Sequence, residues 1–218
     1  MRHFAVIGMS SFGYYLCKFM AERGFYVLAI DNDEVKINRV KDFVQKAVIA
    51  DATDKETLER LGLGDFDGVV VSLGDRIDAS ILVTLYLRQL GVDEIIAKAI
   101  TEDHGKILDL IGATTVLFPE KDMAYRLAHS LDNVNVLDYI PLTSDVSIIE
   151  MAPPSSFLGK TLAELDLRRK YHVQVLMIKE LVPENVVVIP TGDHVIKDSD
   201  VLVVMGKDED LKRLESLK

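Results

Sequence analysis

The chain has one cysteine, Cys17, among 218 residues. An intramolecular disulfide and a Cys-rich zinc site are therefore excluded, and a reducing compartment fits. His3, His104, His129, His172 and His194 show neither HxxxH nor HExxH spacing, so no histidine metal motif is present. Basic charge is scarce: Lys and Arg number 25 against 35 Asp and Glu, a net charge of −10. Residues 1–138 hold 15 basic and 22 acidic residues, and 139–218 hold 10 and 13. Neither part is basic, which argues against a nucleic-acid reader. Long apolar runs are lacking too. The run Ile81–Leu87 contains Thr84 and lies between Asp78 and Arg88, so no transmembrane span and no direct membrane insertion are expected. The opening MRHFAVIGMSSFG is too short in apolar residues, and too interrupted by glycine, for a signal peptide.

What is present is a rhythm. FAVI (4–7), YVLAI (26–30), AVI (47–49), GVVV (68–71), EIIA (94–97) and TVLF (115–118) are short apolar runs separated by amphipathic stretches. Continuous apolar runs suit strands covered on both faces. Alternation at this spacing predicts an α/β fold, a Rossmann-like doubly wound parallel sheet with right-handed crossovers. A further helix opens at Pro119 and runs to about Leu131. The stretch holding Asn133, Asn135, Pro141 and Ser144 shows no clear helix. Beyond it, strands at 146–150, 173–178, 186–189 and 201–205, a short helix near Thr161–Leu165 and a last helix from Asp208 predict a second, smaller α+β C-terminal domain. The domains are placed at 1–138 and 139–218.

Chemistry concentrates at Gly8-Met9-Ser10-Ser11-Phe12-Gly13, which follows the first strand and opens the first helix. Free N–H groups and the helix dipole there suit a nucleotide phosphate. The motif departs from G-x-G-x-x-G at Ser10, whose Cβ takes up room near the phosphate. The second strand ends in Asp31, 18 residues after Gly13. An acid there can grip both ribose hydroxyls and repels a 2′-phosphate, so NAD(H) or an adenine nucleotide is favoured over NADP. The alternative is a plain tight turn at Gly8 and Gly13, with Asp31 capping the next helix. Cys17, among Leu16, Phe19 and Met20, reads as a core thiol.

GMSSFG, LAIDND, VIADATD (48–54), VVVSLGD (69–75) and FPEKDMAYRLAHSL (118–131), in this order, resemble the regulator-of-K⁺-conductance (RCK) domains of Trk/Ktr-type potassium uptake regulatory subunits. VVVIPTGDHVIKDSDVLVVMG resembles the small C-terminal domain of that family. The resemblance implies a regulatory, gating subunit that is not an enzyme. It implies binding of NAD(H), ATP, ADP or AMP, and a homodimer assembling into an octameric ring. The location it implies is cytoplasmic, at the inner face of the plasma membrane, through a membrane K⁺-translocating subunit. By the same resemblance, Gly8, Met9, Ser10, Ser11, Phe12 and Gly13 form the phosphate loop. Asp31 and Asn32 take the ribose, and Asp51, Ala52 and Thr53 the adenine. Ser72, Leu73 and Gly74 close the crevice. Lys98 and Glu120 stand near ligand and dimer interface, Glu120 through a divalent cation. Ktr-type members often carry Arg where this chain has Ser11, so a bidentate phosphate contact is missing and NAD(H), AMP or ADP gain. Some members bind a cyclic dinucleotide, and Leu167–Tyr171 with Ile189-Pro190 sit at comparable places; a solvated basic turn is the other reading. Two further functions stay open. An NAD-dependent oxidoreductase needs a catalytic constellation that residues 139–218 do not offer. A nucleotide-sensing transcriptional regulator needs a basic helix-turn-helix, and none is apparent.

Overall fold

The computed structural model describes residues 2–132 and 135–217; Asn133 lies outside the described residues. The chain divides into two compact units, Met1–Glu120 and Lys121–Lys218.

The first unit is one parallel sheet in the order β3-β2-β1-β4-β5-β6. Its strands are β1 (His3–Ile7), β2 (Tyr26–Asp31), β3 (Lys46–Ile49), β4 (Gly68–Val71), β5 (Ile95–Lys98) and β6 (Thr115–Leu117). Between them run α1 (Ser11–Glu22), α2 (Glu34–Val40), α3 (Lys55–Arg60), α4 (Ile77–Gln89) and α5 (Glu102–Leu110). The apolar runs have a simple physical cause. Ala5, Ile7, Leu28, Ile30, Val69 and Val71 enter one core cluster. Val6, Val27, Ala29 and Val70, the alternate positions, enter a second on the opposite face, together with Cys17. Both faces are covered, so strand positions of either parity must be apolar. Fully burying each Val, Leu or Ile contributes about 1.5–3 kcal/mol.

Helix starts follow side-chain caps. Asp33 accepts from the N–H groups of Val35 and Lys36 at the start of α2, and Asp54 caps α3. The cap of α2 therefore falls to Asp33, and Asp31 is left for another role. Cys17 is buried, and burial pushes its thiol up to about 12.

Helix α6 (Pro119–Asp132) begins at the division between the units. The second unit is an antiparallel sheet in the order β10-β9-β11-β8-β7. Its elements are β7 (Val136–Pro141), β8 (Val146–Met151), α7 (Leu162–Leu165), α8 (Leu167–Lys170), β9 (Gln174–Leu181), β10 (Glu184–Val188), β11 (Asp200–Lys207) and α9 (Asp208–Glu215). Ile149, Met151, Ile178, Leu202 and Val204 form its core, on which α9 lays Leu211 and Leu214.

Strand β7 is an element the sequence pattern does not announce. Its centre, Asp138, is held from outside the strand: Arg126 on α6 donates to Oδ1 at 3.0 Å and Oδ2 at 2.9 Å, and to the Tyr139 carbonyl at 3.1 Å. Beside it, Ser147 Oγ donates to Asp208 Oδ1 at 2.7 Å and also lies 2.7 Å from the Tyr139 hydroxyl.

Candidate functional site

The parallel sheet reverses its strand order between β1 and β4, and a crevice opens outside the strand ends at such a point. Its volume is about 320 Å³. The glycine loop forms one wall. Gly8 has φ +94°, and its N–H donates to the Ile30 carbonyl at 2.7 Å. A Cβ on Gly8 would stand 2.3 Å from the Ser72 carbonyl oxygen, and one on Gly13 2.1 Å from the Gly8 oxygen. Real Cβ atoms do not approach that closely, so glycine is dictated at both positions by the approach of loop, helix and β4.

Ser10 occupies the middle position of the motif as the N-cap of α1. Its Oγ accepts from the Gly13 N–H at 3.3 Å and lies 2.6 Å from Ser72 Oγ. The extra side chain is thus turned into a strap between the β1 and β4 loops. The amides of Ser10, Ser11 and Phe12 donate to no group among the described residues. They are three unused donors at the positive end of a helix.

Asp31 ends β2 and is buried. Its Oδ2 accepts the Met9 N–H at 2.7 Å, its Oδ1 accepts the Asp33 N–H at 2.9 Å, and Lys36 Nζ stands 3.7 Å away. The carboxylate therefore anchors the glycine loop. Its remaining lone pairs are available to hydroxyl donors.

Past β3, Asp51 Oδ1 accepts both the hydroxyl (2.7 Å) and the N–H (2.9 Å) of Thr53. These two bonds, with the nearby Arg76 charge, hold its carboxyl below the ordinary aspartate value.

Of the residues expected at the site, Gly8, Ser10, Asp31 and Asn32 line the crevice. So do Asp51, Ala52, Thr53, Ser72, Leu73 and Gly74. Met9, Ser11, Phe12 and Gly13 do not. Met9 is buried against Cys17, their sulfurs 3.8 Å apart, and contributes its N–H alone. Phe12 packs against the core, Gly13 is buried beneath Gly8, and Ser11 is exposed at the first position of α1. Lys98 and Glu120 stand away from the crevice wall, joined as an ion pair. The Lys98 ammonium holds the Glu120 carboxyl below its usual range. Among the described residues no three His, Cys, Asp or Glu side chains converge on a metal-sized site.

The structure adds Lys36, Asp75 and Arg76 to the lining. Lys36 comes from the first turn of α2 and Arg76 from the position before α4. Lys36 lies five residues past the acid that ends β2, and no motif marks it.

The second unit has its own crevice of about 290 Å³, where Asp166, Arg168, Gln174 and Pro190 meet. Arg168 donates to the Gln174 side chain. Leu167 also lines it, whereas Arg169, Lys170, Tyr171 and Ile189 do not.

A glycine-loop crevice at the switch point of a 3-2-1-4-5-6 sheet defines a Rossmann-like domain of the dinucleotide-binding fold class. Comparison with known proteins agrees and is more specific. Residues 4–119 match the TrkA-N domain and residues 146–218 the TrkA-C domain. Ktr system potassium uptake protein C of Bacillus subtilis (strain 168) is 43% identical over 214 residues, covering 98% of this chain and 96% of that protein. Ktr system potassium uptake protein A of the same organism is 39% identical over 215 residues, covering 99% and 96%. The chain belongs to this TrkA-N/TrkA-C family of potassium uptake proteins. Among solved structures, the GsuK channel bound to NAD shares the fold with a TM-score of 0.66 at 20% identity. The match covers 99% of this chain and 39% of that one, so this chain spans well under half of the channel.

Proposed function

We propose that this chain is a nucleotide-binding regulatory subunit of a potassium uptake system, without catalytic activity of its own. The observation that carries the reading is the crevice, whose two glycines are forced by close approach, in a chain 43% identical to a Ktr potassium uptake protein across nearly its full length. The crevice fits an adenine nucleotide. The unused amide of Ser10 in the lining, with those of Ser11 and Phe12 just beyond it at the start of α1, would hold phosphate, and the spare lone pairs of Asp31 the ribose hydroxyls. Asn32 would join Asp31 at the ribose, Asp51, Ala52 and Thr53 would flank the adenine, and Ser72, Leu73 and Gly74 would close over it.

The nucleotide supplies binding energy, and only a difference in affinity between two arrangements of the assembly can do gating work. The functional unit proposed is residues 1–138 carrying the crevice, with 139–218 as the smaller domain. No described helix is long and apolar enough to cross a membrane. The permeation path is assigned to a membrane K⁺-translocating partner, on whose cytoplasmic side this chain acts. Met123, Leu127 and Leu131 of α6 are 59%, 55% and 75% exposed, which supports a dimer, and from it an octameric ring. Glu120 is assigned a divalent cation at the dimer interface, in place of its bond to Lys98. The crevice at Arg168 and Gln174 is the place for a cyclic dinucleotide.

The test is K⁺ flux into vesicles holding the membrane partner, with this chain added and NAD, NADH, ATP, ADP or AMP varied. A nucleotide-dependent change in flux that needs this chain is expected. Flux indifferent to chain and nucleotide, or oxidation of NADH by the chain alone, overturns the reading.

A further inference from the structure

A purine entering the crevice would find no ring to stack on. Among the described residues no aromatic side chain lines it, and its apolar lining is aliphatic, Ile30, Ala50, Ala52 and Leu73 included. Two cations line it, Lys36 and Arg76. Lys36 is drawn to Asp31 at 3.7 Å. The Arg76 guanidinium has no ion pair and no hydrogen bond among the described residues. Arg76 is exposed at the N-cap position of α4, where its side chain makes no capping bond. Two residues earlier the chain passes through Gly74, whose φ is +65°. With Thr53, Arg76 also lines a second hollow on the flank of α4. Its charge reaches Asp51 and helps to hold that carboxyl low. Asp51 and Thr53 are the residues assigned above to the base, so the free guanidinium stands on the base side of the crevice.

We infer, resting on the nucleotide reading above, that Arg76 is the base-stacking residue of this crevice, its guanidinium plane laid over the purine ring from the start of α4. A guanidinium is planar and weakly hydrated and stacks on aromatic faces, whereas a lysine ammonium is a compact, strongly hydrated point charge. Nucleobases are held in this way on arginine planes where a protein offers no aromatic ring. The side chain has no bond within the fold to give up when it turns onto the base. Every adenine nucleotide gains the same contact, whatever phosphate it carries.

The experiment is titration calorimetry of the full-length, nucleotide-stripped chain, native, Arg76→Ala and Arg76→Lys, against AMP, NAD, ADP and ATP, at low and at high salt. Neither substitution strands a partner among the described residues, so the fold is expected to stand in both. Each is expected to weaken all four nucleotides by one common factor of about tenfold, the same at both salt concentrations. A factor that grows from AMP to ATP, that vanishes at high salt, or that Arg76→Lys recovers makes Arg76 a charge acting on phosphate; the inference then falls and the nucleotide reading stands. Native affinity in Arg76→Ala has the same consequence. No binding of any of the four by the native chain overturns the nucleotide reading and the inference together.

Discussion

Asp31→Ala removes more than the ribose ligand proposed above. In the native fold the carboxylate accepts the buried Met9 N–H at 2.7 Å and the Asp33 N–H at 2.9 Å, and it neutralises Lys36. Alanine leaves the buried Met9 amide facing no acceptor. A hydrogen bond to a charged group contributes about 1.5–3 kcal/mol, and a stranded buried donor costs about 1–3 kcal/mol. The Asp33 amide is less buried, so water replaces most of what it loses. Local opening of the glycine loop should therefore become easier by about 2–3 kcal/mol, which is roughly a 30- to 150-fold rise in the open population. Amide hydrogen exchange read by mass spectrometry on a peptide spanning Phe4 to Leu16 measures this, and it does not need the whole chain to unfold in one step. Asp31→Asn keeps one acceptor and should recover about half of the loss in free energy. If the Met9 amide exchanges within twofold of the native rate in Asp31→Ala, the loop is held by something else and the reasoning fails. One consequence concerns binding assays. Lost nucleotide affinity in Asp31→Ala reports ribose recognition and loop disorder together. The ribose share is isolated by comparing variants in which Met9 stays protected.

Two further outcomes are expected. Cys17, buried with its thiol pushed up to about 12, should not react with a maleimide or an aromatic disulfide at pH 8 until the chain is unfolded in urea; rapid labelling of the native protein would contradict the burial. Glu120 is held low in the fold by Lys98, so the pair stabilises the native state above the ordinary glutamate value, and that share is lost as pH falls through the depressed folded value. Urea midpoints of the native chain and Lys98→Met should therefore differ at pH 7 and converge in acid, and a gap that persists below the depressed value would show that Lys98 acts through packing.

The parallel sheet was legible because burial on both faces leaves an unbroken apolar run, as at Gly68–Val71. Strand β7 was not. Asp138 breaks its pattern and Pro141 closes it, and what holds the strand is its pairing with β8 together with a guanidinium from α6, both invisible to any local window. The site divides in the same way. Gly8, Asp31, Asp51 and Ser72 sit at or just beyond strand ends, and a Rossmann-like order brings such positions together whatever the loops do. Lys36 and Arg76 reach the crevice from helix starts, where cations oppose the helix dipole and no motif marks them. The resemblance put Phe12 and Met9 in a phosphate loop, and it did not show that their side chains turn into the core.

The Ser10–Ser72 contact gives the crevice a reversible polarity. Either hydroxyl can be the donor across the 2.6 Å between them. When Ser10 donates, the proton of Ser72 is left over; when Ser72 donates, Ser10 keeps accepting from Gly13 and its own proton is free to turn. The strap between the β1 and β4 loops therefore survives in both directions while the spare proton changes sides. An arriving oxyanion can take up that proton by rotation about two side-chain bonds, with no backbone displacement. The loop after β1 and the strand that leads into α4 are thereby joined by a bond that can run in either direction without moving the backbone.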